Sequence, residues 1–111
     1  MLVRNYKDVP AVPTPYAQKR VVIGPKQGAP NFVMRVIDMP PGASYSHSHD
    51  WEHEVFVLSG EATLTGEKGE IQLKPDDTIY IQPFEKHGLA NKGPEVFRFI
   101  CVVPTRGEDA P

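Results

Sequence analysis

A single cysteine, Cys101, rules out an intrachain disulfide, and a reducing, cytoplasmic home is the expected setting. The N-terminal residues Met1 to Pro10 lack the apolar core of a secretory signal, and no apolar run reaches the ~18 residues of a membrane span, so no membrane association is expected. Charge of one sign is also missing. The net charge is −2 and the 12 basic residues are scattered, which argues against nucleic acid as a partner, since that needs a basic stripe. Nowhere does an apolar period of 3.6 residues persist for three turns, so long helices are not expected.

What the 111 residues do contain is turn chemistry: 12 prolines and nine glycines, spaced at roughly ten-residue intervals around short apolar runs. This is the rhythm of an all-β domain. Residues 1–19, with Pro10, Pro13 and Pro15, read as an extended N-terminal arm, either a frayed terminus or packed on the barrel or on a partner subunit. Residues 20–104 form the barrel, with strands expected at 20–24, 31–39, 44–50, 52–59, 61–65, 71–74, 78–82, 87–91 and 95–103. Residues 105–111 read as a solvated tail. Roughly nine strands in a chain this short suit a sandwich or barrel. Alternation puts Tyr45, His47 and His49 on one face, His53, Val55 and Val57 on another, and Phe97, Phe99, Cys101 and Val103 together on the last strand. Several strands are apolar on both faces, so a second layer or another subunit must cover the outer one, and a homodimer is expected.

Three of the four histidines fall in His47-Ser48-His49-Asp50-Trp51-Glu52-His53. Residues i and i+2 on a strand point the same way, so His47 and His49 share one cavity wall, with His53 after a short corner. His87, from a distant strand, would be a fourth ligand in a closed fold. Neutral imidazoles suit zinc, copper, iron, nickel and manganese. Tyr45, Trp51, Phe99 and Cys101 are expected to line the pocket, although plain core packing would also account for Tyr45 and Trp51, and a small buried hydrophobe for Cys101. Glu52 and Glu54 read either as partners that orient imidazole N–H groups or as exposed charge. Arg35, among apolar neighbours, is expected in an ion pair on the outer face. No catalytic group beyond a metal centre stands out.

Pro41-Gly42, His47-x-His49 and Phe56-Val57-Leu58-Ser59-Gly60 resemble the first motif of the cupin family. Asp77, Pro83, His87 and Asn91 resemble its second. The resemblance spans about residues 31–103 and implies a double-stranded β-helix, or jelly-roll, barrel with one divalent metal ion. Its usual second-motif glycines are replaced here by Asp76 and Glu85, and four residues separate Gly42 from His47 where five are common. The family usually supplies a glutamate as third ligand, and counting leaves both His53 and Glu54 as candidates. Side-chain parity favours His53, which shares its face with Val55 and Val57. The segments Asn31-Phe32-Val33-Met34-Arg35 and His-Ser-His-x-Trp-Glu-His-Glu are very similar to small bacterial monocupins with a four-histidine manganese site. This implies manganese first, held by His47, His49, His53 and His87.

Four neutral ligands leave an ion its full charge and, if it is octahedral, two open positions. The expected function is therefore a metal-dependent oxidoreductase, a dioxygenase or peroxide-dependent oxidation of a small apolar or aromatic molecule. Two alternatives stand beside it: a Lewis-acid isomerase or cyclase, and a small-molecule-binding or structural metal module.

Overall fold

The computed structural model of the chain describes residues 1–108. Ten strands run β1 (Val12–Pro13), β2 (Gln18–Ile23), β3 (Phe32–Met39), β4 (Ser44–His47), β5 (His53–Ser59), β6 (Ala62–Gly66), β7 (Gly69–Leu73), β8 (Thr78–Ile81), β9 (His87–Ala90) and β10 (Phe97–Pro104). A single helical turn, α1 (Thr105–Glu108), follows. All strand pairs are antiparallel. They form a six-stranded sheet in the order β1-β2-β3-β10-β5-β8 and a four-stranded sheet in the order β4-β9-β6-β7. The two sheets enclose one core as a jelly-roll barrel, the architecture the sequence led us to expect. Among the described residues no helix is long and apolar enough to cross a membrane.

Alternation explains which residues fill that core. On β10 every second residue from Phe97 to Val103 is buried, and the residues between them are only half-buried. Met39, Val57, Phe97 and Val33 are completely enclosed. Two of the turns with left-handed backbone show why their residues matter. At the turn after β5, Gly60 adopts φ +81°, and a Cβ there would sit 2.3 Å from the Val96 carbonyl oxygen. Asp76, which stands where a glycine is usual, takes φ +77°, a conformation that aspartate tolerates better than most residues. Asn91, 1% exposed, donates from its amide to the Met39 and Glu95 carbonyls at 2.9 and 2.8 Å, tying two loops together.

Residues 1–19 pack on the barrel, one of the readings open to them, though they are not wholly extended; other expectations need correction. A 3₁₀ turn at Tyr6–Asp8 and strand β1 lie against the barrel, and Arg4 donates to the Val22 carbonyl at 2.7 Å. This arm covers part of the outer face by packing Val9 and Tyr6 on Val22, Val36 and Ile100. Elsewhere that face stays open, leaving Phe32, Met34, Phe56 and Tyr80 exposed. The strand expected at 44–50 ends at His47, so His49 and Trp51 lie in the following loop. The tail expected to be solvated begins as α1, whose Gly107 is buried; the remainder, 109–111, lies outside the described residues.

Gly60→Ala is expected to lower the unfolding free energy by about 2–4 kcal/mol, combining left-handed strain with a backbone clash. Urea denaturation checks this; a change no larger than about 0.5 kcal/mol, typical of a neutral surface site, would refute the close approach to Val96.

Candidate active site

One cavity of about 290 Å³ opens between the sheets, and all four histidines line it. His47 closes β4, His49 sits in the loop beyond, His53 opens β5 and His87 opens β9. Register makes His47 and His87 direct partners across the β4–β9 ladder. The His49 loop is pinned to the loop before β9: the Phe84 N–H donates to the His49 carbonyl, and Ser48 Oγ donates to the Phe84 carbonyl at 3.0 Å. Phe84 takes φ +67° to do so, a strained conformation for a bulky residue.

Ring centres lie 5.0 Å apart for His47–His49, 5.4 Å for both His49–His53 and His53–His87, and 6.3 Å for His49–His87. Imidazoles that bind a common ion through nitrogens about 2.1 Å from it have centres roughly 4.5–6.5 Å apart. As the side chains lie, no three of the described His, Cys, Asp and Glu groups stand at ligand spacing. The rings are thus gathered but not closed on one point. Two further observations bear on fit. Nδ1 of His87 meets the Glu85 carbonyl at 2.9 Å, which places a proton there and leaves Nε2 bare. Nδ1 of His53 meets Cys101 Sγ at 3.4 Å, while its Nε2 is buried without a hydrogen-bond partner. A buried, unpartnered imidazole nitrogen beside three more imidazoles suits a divalent cation.

The electrostatics suit one too. Burial depresses His47 and His49, with neighbouring imidazoles adding to the effect. Burial pushes His53 furthest, down to about 3, with the neighbouring His87 and the Arg35 guanidinium adding to the effect. Burial raises Tyr16, Tyr45 and the Cys101 thiol, so all three stay protonated near neutrality.

The other expected site residues divide. Tyr45, Trp51, Phe99 and Cys101 line the cavity. Trp51 stacks on His49 at 4.5 Å between ring centres, and Tyr45 tilts against His47 at 4.6 Å. Glu52 and Glu54 do not reach the imidazoles. Both are exposed, and Glu54 pairs in register with Val102 and Tyr80, whose side chains face outward. Parity is the reason: with His53 turned inward, its neighbours in sequence must turn outward. Burial and the adjacent Glu52 raise the Glu54 carboxyl to about 7.

Arg35 reverses its expectation of an outer ion pair. It faces the cavity, opposite Cys101 in the β3–β10 register, and donates from Nη2 to Cys101 Sγ at 3.0 Å. The signal was present, since Arg35 shares parity with Val33, Ile37 and Met39, all buried. Tyr16 and the proline-rich segment beside it also line the cavity, with the Tyr16 ring tilted against Tyr45 at 4.4 Å between ring centres. Gly107 of α1 closes one side against Trp51, where a Cβ would come within 2.8 Å of the indole nitrogen. No local pattern announces these last contacts.

The cupin domain family (Cupin_2) matches residues 35–103. The chain belongs to the cupin family. Among solved structures, this cupin is similar to the polyketide cyclase RemF from Streptomyces resistomycificus, with TM-score 0.87 and 32% identity over 95% of this chain and 80% of that one. A predicted oxalate decarboxylase from Thermotoga maritima shares the fold at TM-score 0.82 and 18% identity, over 94% of this chain and 99% of that one. Ectoine synthase from P. lautus does so at TM-score 0.83 and 18% identity, over 95% and 78%. No curated protein sequence matches significantly.

In metal-stripped protein the depressed His53 sets a pH dependence. Above its ordinary value of 6.5 both folded and unfolded chains hold it neutral. As pH falls from there toward about 3, the unfolded chain takes up a proton that the folded chain refuses, so stability is lost across that window. The urea midpoint of stripped protein should therefore fall between pH 7 and pH 4.5, and fall less in His53→Gln; equal slopes would contradict the burial assigned to this ring.

Proposed function

We propose that this cupin is a metal-dependent enzyme that holds one divalent cation through His47, His49, His53 and His87 and cyclises or isomerises a small planar substrate without a change of oxidation state. The observation that carries this reading is the convergence of four imidazoles, from two sheets and a loop, on one cavity with aromatic walls. Bound there, the ion would act as a Lewis acid on a carbonyl or enol oxygen. The remaining work falls to the protein. Trp51, Phe99, Tyr16 and Tyr45 supply flat apolar walls that orient a planar molecule and exclude water. The Tyr16 and Tyr45 hydroxyls, kept protonated by burial, are hydrogen-bond donors to a substrate oxygen.

The expected dioxygenase draws on the same open cavity but on no feature peculiar to oxygen chemistry. Similarity to a polyketide cyclase at 32% identity over 95% of the chain favours the cyclase-type reading. Manganese is the ion the histidine motif suggests; zinc, nickel, iron and copper also suit the donors. Metal content of protein purified without added ions, measured by mass spectrometry, identifies it.

Two outcomes test the proposal. His53→Ala should weaken metal binding at least about 100-fold, as expected for a lost ligand, whereas Glu54→Ala, on the outer face, should leave it within about threefold. Equal losses in competition dialysis would remove His53 from the ligand set. Metal-loaded protein should also catalyse deuterium exchange at the central carbon of a 2,4-diketone under anaerobic conditions, and stripped protein should not. Turnover that requires dioxygen would return the protein to the oxidoreductases.

A further inference from the structure

Arg35 is the one guanidinium among the described residues that lines the cavity, and its partners do not satisfy it. Its side chain is 12% exposed. Nη2 is spent on the neutral Cys101 thiol at 3.0 Å, and Nε is buried with no hydrogen-bond partner. Nη1 stands 3.6 Å from Glu108 Oε1, too long for a hydrogen bond, and that oxygen is itself buried and unpartnered. The other Glu108 oxygen is committed to Lys19 Nζ at 2.6 Å. Among the described residues Glu108 is the only carboxylate within ion-pair range of either cation. Two cations thus share one carboxylate at the wall of an apolar cavity, and the neighbouring tyrosines and thiol bring no negative charge.

A desolvated guanidinium with idle N–H groups is costly, and its planar fork matches the two oxygens of a carboxylate. Glu108 is a poor match: it reaches Arg35 from the single turn of α1 while already engaged by Lys19. A single sulfur, Cys101 Sγ, separates the guanidinium from the His53 ring. An acid anchored on Arg35 would therefore lie with its body along Tyr16, Tyr45 and Phe99 and its far end toward the histidines.

We propose that the cavity takes a planar aromatic acid, whose carboxylate engages Arg35 in place of the Glu108 carboxylate. This assignment names the substrate class for the Lewis-acid reading and rests on that reading for the chemistry after binding, not for binding itself. Glu108 then acts as an internal stand-in for the acid group, held by a turn that also packs Gly107 on Trp51.

Trp51, the sole tryptophan, reports on the cavity by fluorescence. Metal-stripped full-length protein would be titrated with benzoate and with its neutral counterpart benzamide. Benzoate should bind at least about tenfold more tightly, the worth of one charged hydrogen-bonding pair. Arg35→Met should abolish the preference, and Arg35→Lys should keep only part of it. Because losing Arg35 leaves Glu108 with Lys19 alone and empties a buried position, it can unfold the chain, and Glu108→Gln provides an independent arm: removing the competing carboxylate should tighten benzoate about threefold or more and leave benzamide unchanged. Equal binding of the two probes to stripped protein overturns the proposal, as does a Glu108→Gln protein that binds benzoate no more tightly. A preference that appears only after metal is restored also overturns it, since the ion and not Arg35 would hold the acid, and leaves the metal reading standing. A preference in stripped protein, in a chain that takes up no metal, upholds the acid subsite and removes the metal reading.

Discussion

Strand β10 is hydrogen-bonded along both edges, to β3 and to β5, and the side chains of this one strand set what faces what across the barrel. Its pairing with β3 is unbroken and its pairing with β5 is regular from Phe99 onward, so a residue of that stretch that turns inward obliges its partners on both sides to turn inward with it. Cys101 is paired with Arg35 on one side and Val55 on the other, two residues along from His53. The cavity's polar corner of guanidinium, thiol and imidazole follows from that single register. A slip by one residue between β3 and β10 would set Arg35 opposite Ile100 or Val102, and Arg35 and Cys101 could no longer face the cavity together.

Polar groups in such a place are destabilising unless something answers them. Burial disfavours the charged forms of His47, His49 and His53 and keeps the tyrosines and the thiol neutral, while at the cavity's far corner the charge resides in Arg35, Lys19 and Glu108. The barrel elsewhere uses the ordinary solution. Outside the cavity, Asp38 receives Arg98 at 2.6 Å and Arg20 at 3.3 Å, and this pairing holds its carboxyl below the usual range despite the opposing cost of burial. The contrast is instructive, because a structural ion pair is saturated whereas the cavity's is not. Incomplete pairing and an unpartnered His53 Nε2 are what a site leaves open for what it binds.

Much of this was legible before the fold was known. Period-two alternation in 53–59 and 97–103 set the inward faces that the barrel adopts, and the Pro and Gly punctuation marked most turns to within a few residues. The same parity rule, applied to Val33, Ile37 and Met39, would have turned Arg35 inward. Composition points the other way, because an arginine among apolar residues is more often a surface charge. For Glu52 and Glu54, proximity to His53 in sequence is not proximity in space, since adjacent residues on a strand face opposite ways.

Local chemistry, in the form of alternation, turn residues and the crowding of three histidines into seven positions, determined from the sequence alone that this chain closes into a β-barrel with imidazoles on an inner wall. Only the tertiary structure decided that the N-terminal arm and the α1 turn complete that wall, bringing Tyr16 beside Tyr45 and Glu108 beside Arg35. Those contacts join residues dozens of positions apart whose local sequence carries no period or motif. They arise from the space that closure of the barrel leaves to be filled, and no stretch of sequence records that space before the chain has folded.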